Sequence, residues 1–502
     1  MVRFVVMEEF DSLMLVPLLL VPLLLIIFKN SNKLFSTSSK LPPGPTPWPL
    51  IGNIHQLGNM NHVSLANFAK IYGPIMSFKL GHKPLIVASS PSIAMEILKK
   101  QDLVLSGRDA PRAFPYSRKE LNQISMWTEE YNETSKYLRS LCKVELFSGK
   151  ALTSQECLRA TKVLEMVEFL KAREGEVVNI SQLAFATNFN LLGNILLSKD
   201  LINLEEEIEN NSTKILLRRL IDVASVPNLA DLYIAFSELD LQGIRKKTKG
   251  LWQEAWSIWE PIVEERRNNI HGNKDFKYQD FVDTLVGQKF TNDGINQILM
   301  ELFFAGSDTT TSTIEWMMSE LIKNPRVMNN LRKELEKEIG QDTSIKESQL
   351  LHLPYLQACL KETLRLHPSA PLLLPRRAIE MCQVMNFTIP KNAQVLVNVW
   401  AIGRDPIVWE EPLEFKPERF LNSPIDFKGN DFEFLPFGSG RRMCPGYTMA
   451  ARQIPLVIAL LIQNFDWSLP KEEQPNMLDM KEKFGITLQK QQPLLLIPHT
   501  RT

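Results

Sequence analysis

The sequence predicts a mainly α protein with a minor β portion, and three observations support this fold class. The pattern from about residue 132 to 269 is mainly helical, a further long helix is indicated from about Gly294 to Lys323, and only three short segments are typical of strands. The chain has 502 residues, of which 44% are apolar. Since no long Gly/Ser, Pro-rich or single-sign charged linker interrupts the body, we expect one large domain.

Turn and capping signals define the elements in chain order. Gly73-Pro74 ends a short helix, and Gly81-His82-Lys83-Pro84 separates two strands as a hairpin turn. Asn292-Asp293 is a candidate cap for the long helix, and Asn324-Pro325 ends it. The predicted elements are a helix at 64–72, strands at 76–80 and 85–88, helices at 91–100, 294–323 and 356–366, a strand at 395–399 and an apolar helix at 445–465.

An unbroken apolar run from Leu13 to Phe28 precedes this body and contains Pro17 and Pro22. Its length is near the lower limit for spanning a bilayer, about 17 residues. Acidic residues precede the run and Lys29 follows it, so the positive-inside rule places the body on the cytosolic side. We expect a membrane anchor at 1–30, a linker with a Pro-rich hinge at 31–50 and a catalytic domain at 51–502. The alternative is an interfacial or cleaved segment.

Composition argues against two other classes of protein. Lysine plus arginine and aspartate plus glutamate both number 57, so no global basic excess indicates nucleic-acid binding. The five cysteines are too sparse and too odd in number for a disulfide scaffold, which favours a reducing compartment.

One cysteine lies in a glycine-rich loop that an apolar helix follows: residues 434–446 are FLPFGSGRRMCPG. Glycine permits positive φ and close approach of the backbone to a flat ligand. Arg441, Arg442 and the amino end of the helix after Pro445 all favour a thiolate at Cys444. A lone thiolate without zinc-ligand neighbours suits an axial ligand of haem iron, and the alternative is a buried, inert cysteine.

The spacing Phe437-x-x-Gly440-x-Arg442-x-Cys444-x-Gly446 resembles the haem-thiolate signature of the cytochrome P450 family. Other segments follow in the family's order: Pro42-Pro43-Gly44-Pro45, Ala305-Gly306-Ser307-Asp308-Thr309-Thr310, Glu362-Thr363-Leu364-Arg365 and Pro417-Glu418-Arg419-Phe420. The resemblance implies the cytochrome P450 fold, with a long central helix over a haem and the cysteine loop beneath it. It also implies haem b ligated by Cys444, with Phe437, Gly438, Gly440 and Gly446 beside it. The activity implied is a monooxygenase that uses O2 and electrons passed from NADPH by NADPH–cytochrome P450 reductase.

The same resemblance implies that Asp308 and Thr309 deliver protons for oxygen reduction, which is work for an acid and a hydroxyl group. Gly306 is expected to leave room for oxygen beside the helix. The alternative for Thr309 is a hydroxyl that bonds back to a carbonyl one turn earlier, and we expect that arrangement for Thr310, Thr311 and Ser312.

Further residues receive roles from the resemblance. Arg442, Arg376 and Arg139 are expected to bind the haem propionates, although Ser135 stands where the family usually has a tryptophan donor. Glu362, Arg365 and Arg419 are expected to form a buried structural charge network. The basic residues Lys136, Arg139 and Lys143 either dock an acidic reductase or form a solvated face.

The substrate pocket implied by the family contains Leu299, Ala305, Leu372, Leu373 and Ile486, which indicates a small lipophilic substrate. Glu301, one turn before Ala305, either pairs with an ammonium ion or faces water, and we expect the substrate to be an amine. The carboxy-terminal half resembles plant enzymes of alkaloid metabolism, a group that includes N-methylcoclaurine 3′-hydroxylase, phenol-coupling enzymes and littorine mutase. These plant enzymes are microsomal, so we expect the endoplasmic-reticulum membrane.

Three alternatives remain open at this point. The nearest is a terpenoid hydroxylase of the geraniol-hydroxylase type. The others are a reductase-independent haem isomerase and a haem-binding protein without catalysis.

Overall fold

Helices account for most of the architecture, as the sequence predicts. The computed structural model describes residues 40–57, 62–114, 116–124, 128–204, 212–233, 236, 238–272, 280–340, 345–470 and 474–501. The predicted anchor and residues 31–39 of the predicted linker lie outside these ranges. Among the helices within them, none is both long and apolar enough to cross a membrane.

Seventeen α-helices are present in the described ranges, and π-helical turns at Glu96–Lys100 and Lys143–Phe147 continue α2 and α4. The helices are α1 His62–Tyr72, α2 Pro91–Met95, α3 Arg118–Ile124, α4 Glu133–Cys142, α5 Gly149–Ser154, α6 Glu156–Lys171, α7 Ile180–Leu197, α8 Ser212–Ser225, α9 Leu229–Leu232, α10 Ile244–Gly272, α11 Phe281–Gly287, α12 Asn292–Lys323, α13 Pro325–Glu338, α14 Glu347–Leu350, α15 Pro354–Leu366, α16 Val399–Ile402 and α17 Tyr447–Asn464.

The β portion is small, and its largest sheet contains β1 (Ile75–Leu80), β2 (Lys83–Ala88), β7 (Gln394–Val397) and β4 (Arg376–Arg377) in that order. The predicted hairpin is antiparallel, whereas β7 joins β2 in parallel with Leu85 opposite Gln394. A second sheet has the order β3-β11-β8, and two hairpins complete the set. The strands are β1 Ile75–Leu80, β2 Lys83–Ala88, β3 Val178–Asn179, β4 Arg376–Arg377, β5 Cys382–Val384, β6 Phe387–Ile389, β7 Gln394–Val397, β8 Phe465–Ser468, β9 Glu482–Lys483, β10 Gln489–Lys490 and β11 Leu495–Thr500.

The long helix α12 has 32 residues and is buried over most of its length. Thr291 caps it by accepting a hydrogen bond from the Gly294 amide, so the cap lies one residue before the predicted Asn292-Asp293. At 1.5 Å per residue the helix is about 48 Å long. Its buried residues contribute to both of the large apolar clusters, which places the middle of α12 at the centre of the domain.

The Pro-rich segment is hydrogen-bonded to strand β1 from Pro42 onwards. The carbonyl oxygens of Pro42 and Pro43 accept hydrogen bonds from the side chain and the amide of Ser77, at 2.7 and 2.8 Å. A Cβ atom at Gly44 would lie 1.9 Å from the Ser77 carbonyl oxygen, so only glycine allows this approach. The first described residues therefore belong to the packed body.

Candidate active site

The cysteine loop, residues 434–446, is closed by hydrogen bonds within its own backbone. The Cys444 amide donates to the Phe437 carbonyl oxygen at 3.0 Å, and the Gly438 amide donates to that of Leu435 at 3.0 Å. Gly438 and Gly440 have φ angles of 70° and 72°, which favour glycine. Gly446 has a φ of −87°, so its place in the loop does not depend on a left-handed backbone.

The Cys444 side chain is exposed although protein surrounds the residue. Burial raises the pKa of its thiol, while the amides of Gly446 and Tyr447 and the cation of Arg139 act to lower that pKa. We infer that the sulfur lines an internal open space at the amino end of α17. Burial is the largest of these effects, so the net direction of the pKa is upward, and the expected thiolate at Cys444 stays a prediction.

The two arginines expected to stabilise a thiolate have other partners. Arg441 forms an ion pair with Asp102 at 3.0 Å, and Arg442 donates to the Ser106 carbonyl oxygen at 2.9 Å. The nearby cation that lowers the thiol pKa is instead Arg139, which donates to the Met443 carbonyl oxygen at 2.6 Å. Closeness to Cys444 in the sequence therefore does not identify the cation that lowers the pKa of its thiol.

Four arginines from separate segments of the chain form a cluster beside this loop. Arg108, Arg376, Arg442 and Arg139 all donate to backbone carbonyl oxygens, among them those of Leu374, Pro375, Ser439, Ser106, Thr128 and Met443. We call these four residues the arginine cluster. Arg139, Arg376 and Arg442 were predicted from the sequence, whereas nothing in the local sequence pattern marks Arg108.

The positively charged guanidinium groups of the arginine cluster repel one another. Burial, followed by the neighbouring cations Arg376, Arg442 and Arg139, lowers the pKa of Arg108 well below its ordinary value. Burial and adjacent guanidinium groups also lower the pKa values of Arg376 and Arg442 to about 10. An anion bound among these groups would relieve the repulsion, so the cluster suits carboxylate ligands.

Ser135 is not directed towards the cluster. Its hydroxyl donates to the Asn132 carbonyl oxygen at 2.9 Å, and its amide donates to the Asn132 side chain, which caps α4. The donor that the family usually supplies at this position is therefore absent from Ser135, and Arg108 is the additional cation in the cluster.

The middle of the long helix presents one exposed residue, Ala305, between buried turns. The Thr309 hydroxyl donates back to the Ala305 carbonyl oxygen at 2.8 Å, which is the alternative arrangement. Thr311 makes the same kind of bond to Ser307 at 2.9 Å, as expected. Ser312 does not, because its hydroxyl donates to the Leu488 carbonyl oxygen on another segment. The lone pairs of the Thr309 hydroxyl oxygen remain available to accept hydrogen bonds on the side of the helix where Ala305 is exposed.

Gly306 faces helix α7. A Cβ atom at this position would lie 2.9 Å from a methyl group of Leu192, and the Asn188 side chain donates to the Gly306 carbonyl oxygen at 2.8 Å. The missing side chain allows two helices to approach, and the expectation that Gly306 makes room for oxygen stays a prediction.

The predicted pocket residues divide into two groups. Ala305 is exposed and Ile486 is 39% exposed, which fits an open internal surface. Leu299 is completely buried in one apolar cluster and Leu372 belongs to another, so both pack among core residues and their contact with a substrate stays a prediction. Leu373 is half-buried and lies beside Gly438 of the cysteine loop.

Glu362, Arg365 and Arg419 meet in a buried network. Arg365 donates to both carboxylate oxygens of Glu362 at 2.7 and 2.8 Å, and Arg419 donates to one of them at 2.9 Å. Arg365 also donates to the carbonyl oxygens of Pro412 and Glu414. The network joins α15 to the segment after α16, so it organises the region that leads to the cysteine loop.

Comparison with known proteins identifies the family. A family model described as cytochrome P450 matches residues 42–497. The chain belongs to the cytochrome P450 family. The match to the cytochrome P450 family model covers almost all of the described body and includes both the long helix and the cysteine loop.

Curated P450 relatives match over nearly their full lengths. (S)-N-methylcoclaurine 3'-hydroxylase isozyme 1 of Papaver somniferum is 46% identical, over 97% of this chain and 100% of the relative. Corytuberine synthase of Coptis japonica is 43% identical, over 97% and 98% respectively. Geraniol 8-hydroxylase of Swertia mussotii is 41% identical, over 92% and 94%.

P450 proteins are oxidoreductases that contain haem iron, use O2 and receive electrons from NADPH through a reductase. The residues described above fit a haem at two places, the iron and the propionates. An accessible thiol with two amide donors suits the iron, and the repelling arginine cluster suits the propionates.

Proposed function

We propose that Cys444 ligates the haem of a microsomal monooxygenase that oxidises a plant alkaloid. The observation that carries this proposal is the accessible Cys444 thiol, which receives amide hydrogen bonds at the start of α17 beside the arginine cluster. When bound, the haem supplies the iron at which O2 is reduced and the substrate is oxidised. One oxygen atom enters the product and the other leaves as water, so two protons must be delivered.

The chain's own residues perform three tasks in this proposal. Arg108, Arg139, Arg376 and Arg442 would hold the carboxylates of the haem propionates. Thr309 orients water on the open side of the long helix, and Asp308 carries protons from solvent. The apolar surface around Ala305 and Ile486 positions the substrate and excludes bulk water.

The substrate class follows from the relatives. Two of them are named for N-methylcoclaurine hydroxylation and corytuberine synthesis, and a third for geraniol hydroxylation. We propose oxidation of a benzylisoquinoline-type alkaloid, with littorine and geraniol as the competing substrates. Whether the oxidised substrate is hydroxylated, coupled or rearranged depends on its pose against the pocket wall.

The test uses microsomes that contain this chain and a plant reductase, supplied with NADPH and each of the three candidates. We expect a product one oxygen atom heavier from N-methylcoclaurine. A rearranged aldehyde from littorine would move the enzyme to tropane alkaloids, and oxidation of geraniol alone would move it to terpenoids. NADPH-independent conversion of any candidate would contradict the monooxygenase.

Glu301 supports an amine substrate. It lies one turn before the exposed Ala305 on the same helix face, is half-buried, and accepts a hydrogen bond from Gln297 at 2.7 Å. An ammonium group beside Glu301 would gain a charged partner in a poorly solvated place. We expect Glu301→Gln to weaken spectral binding of the amine several-fold, about 1 kcal/mol for an ion pair of this kind, while binding of neutral geraniol stays unchanged.

We propose that residues 1–30 anchor the protein in the endoplasmic-reticulum membrane with the body in the cytosol. Asn386 is a useful reporter because it is exposed at the turn between β5 and β6 and lies in an Asn-Phe-Thr sequon. We expect no glycan at Asn386 in microsomes, whereas a sequon engineered before residue 8 is glycosylated. A glycan at Asn386 would overturn this topology.

We propose that the exposed face of α4 docks the reductase. Lys143 is exposed, Lys136 is 47% exposed and bonded to Glu133, and the apolar Tyr137 and Val144 are exposed beside them. We expect reversal of both lysine charges, Lys136→Glu with Lys143→Glu, to raise the reductase concentration for half-maximal turnover several-fold. The matched control is Lys333→Glu with Lys337→Glu on α13, and equal effects of the two pairs would refute the docking site.

A further inference from the structure

The carboxy-terminal hairpin, residues 482–490, crosses the long helix at Asp308. The Gln489 side-chain amide donates to both carboxylate oxygens of Asp308, at 2.8 and 3.1 Å. The Thr487 side chain makes a further hydrogen bond to the same carboxylate. Asp308 is 9% exposed, so these two residues from outside the long helix supply its polar environment. Nothing in the Ala-Gly-x-Asp-Thr pattern indicates such partners.

Backbone contacts hold the hairpin against the long helix independently of Gln489. The Leu488 carbonyl oxygen accepts hydrogen bonds from Ser312 and from the Trp316 indole, and its amide donates to the Ser369 carbonyl oxygen at 2.9 Å. The Leu494 amide donates to Glu315 at 2.9 Å. The Gln489 side chain can therefore be changed while the hairpin stays in place.

Two exposed charged residues of helix α8 act electrostatically on Asp308. Burial raises its pKa, whereas Thr487, Gln489 and the cation of Arg218 lower it, and Asp222 raises it. Arg218 and Asp222 are both exposed on helix α8. Glu315, about two turns further along the same face of the long helix, is a further carboxylate that interacts with Asp308.

Asp308 and Thr309 do not face each other. Adjacent helix positions point in different directions, and their side chains have separate partners, Gln489 for the acid and Ala305 for the hydroxyl. A carboxyl group that carries protons between solvent and the Thr309 side of the helix therefore needs something that fixes its orientation.

We propose that Gln489, assisted by Thr487, is a positioning residue for proton delivery and holds the Asp308 carboxyl group in the orientation from which it passes protons inward. This rests on the proposed monooxygenase function. In each transfer a proton leaves the Asp308 carboxyl group towards water at Thr309, and the carboxylate is reprotonated from solvent beside Arg218 and Asp222. No electrons move in this step.

The first test measures Asp308 directly, by infrared titration of carboxyl groups in the haem-loaded enzyme. Asp308→Asn assigns the band. We expect Gln489→Leu to raise the Asp308 pKa by about one pH unit, because a hydrogen bond to the charged form is lost. Gln491→Leu is the matched control, since Gln491 is an exposed glutamine two residues further along, and it should leave the band unchanged. This measurement needs no substrate and stands even where the proposed substrate class is wrong.

The second test measures product formed per NADPH oxidised. We expect Gln489→Leu to lower this ratio by roughly tenfold with a compensating rise in hydrogen peroxide, the loss expected for one hydrogen bond to a charged group. Gln489→Glu places a second carboxylate against Asp308, and the pair then binds a shared proton as the pH falls. The ratio in Gln489→Glu should therefore recover on acidification, while that of Gln489→Leu should not.

Three outcomes would overturn the proposal. One is an unchanged Asp308 titration in Gln489→Leu, whatever happens to the ratio, because a merely structural effect of the variant would leave the carboxyl pKa alone. Another is a normal ratio in Gln489→Leu. The third is a ratio in Gln489→Glu that does not depend on pH.

Discussion

At the scale of single residues, the electrostatics of the haem site depend on cations that repel one another. The pKa values of Arg376 and Arg442 are lowered to about 10 by burial and neighbouring guanidinium groups. A base whose pKa is lowered in the folded state reduces stability in full at pH values below the lowered pKa, and the deficit shrinks as the pH rises from about 10 towards the ordinary pKa of arginine. The haem-free protein is therefore destabilised at neutral pH, and binding of propionates removes part of this cost.

Arg108 is the member of the arginine cluster whose removal is most informative. We expect Arg108→Met to accelerate transfer of haem to an acceptor protein by roughly tenfold or more, because hydrogen bonds to charged groups contribute about 1.5–3 kcal/mol. Arg441→Met is the control, since Arg441 is paired with Asp102. Equal haem loss from both variants would mean that Arg108 holds the backbone at Leu374 and Pro375 and does not act on the haem.

Thr309 is tested against a neighbour of the same type. We expect Thr309→Ala to divert NADPH oxidation into hydrogen peroxide, with product per NADPH reduced by at least about tenfold, since a positioned proton donor contributes roughly 10²-fold or more. Thr311→Ala removes an equally back-bonded hydroxyl that is buried, and it should remain coupled. Unchanged coupling in Thr309→Ala would refute the role of its hydroxyl.

Residue-level prediction from sequence succeeds where a spacing encodes the contact and fails elsewhere. Glu362 and Arg365 share one helix face, so their ion pair follows from the sequence. Leu299 and Leu372 are apolar residues near the site, but apolar character does not distinguish a core position from a cavity wall. Arg108 and Gln489 act on segments more than 100 residues away, and no local pattern reports such contacts.

At the scale of elements, Gly440 of the cysteine loop and Gly306 of the long helix are glycines for different physical reasons, and substitution by alanine tests each reason. Gly440 has a φ of 72°, and a Cβ there would lie 2.2 Å from the Leu98 carbonyl oxygen. We expect Gly440→Ala to abolish haem loading, because left-handed strain costs about 1–2 kcal/mol before the backbone clash. In Gly306→Ala the added methyl group presses on the end of the buried Leu192 side chain and not on backbone, and about 1 kcal/mol of helix propensity offsets that cost.

We therefore expect Gly306→Ala to change the unfolding temperature little and to keep its haem. The comparison is made by thermal unfolding and haem content of both variants. Normal haem loading in Gly440→Ala, or its loss in Gly306→Ala, would contradict the packing argument.

The Glu362 network tests how α15 supports the cysteine loop. Glu362→Ala leaves the buried Arg365 without its bidentate partner, and breaking a buried pair costs about 3–5 kcal/mol. We expect no haem incorporation in this variant. Glu411→Ala removes an exposed ion pair with Lys416 in the same region and should load haem normally. A stable haem-loaded Glu362→Ala would show that the network is dispensable.

Most elements follow from local signals, and their ends differ where a side chain outside the pattern decides. The long helix begins one residue after Thr291 because that hydroxyl caps it, and the predicted strand at 395–399 ends at Val397 because Asn398 caps helix α16. The parallel pairing of β7 with β2 joins segments far apart in sequence. Such pairings depend on tertiary packing, which a period in the sequence does not report.

At the scale of the whole molecule, the fold brings one site together from distant parts of the chain. The arginine cluster takes its members from residues 108, 139, 376 and 442, and the open surface combines the long helix with the carboxy-terminal hairpin. The family and the P450 architecture could be predicted from the motifs, because the motifs of the family occur in the same order along this chain. The geometry between the motifs could not be predicted, since it depends on how the segments between them pack.

The central claim is that Cys444 holds the haem iron in this site. The most direct test is the absorption spectrum of the reduced protein with carbon monoxide. We expect the strongly red-shifted band typical of thiolate-ligated haem in the unaltered protein. The control variant, Cys382→Ser, should show the same band, because Cys382 is a half-buried cysteine in the β5–β6 hairpin. Cys444→Ser should lose that band. Persistence of the band in Cys444→Ser, or its absence from the haem-loaded unaltered protein, would contradict the account.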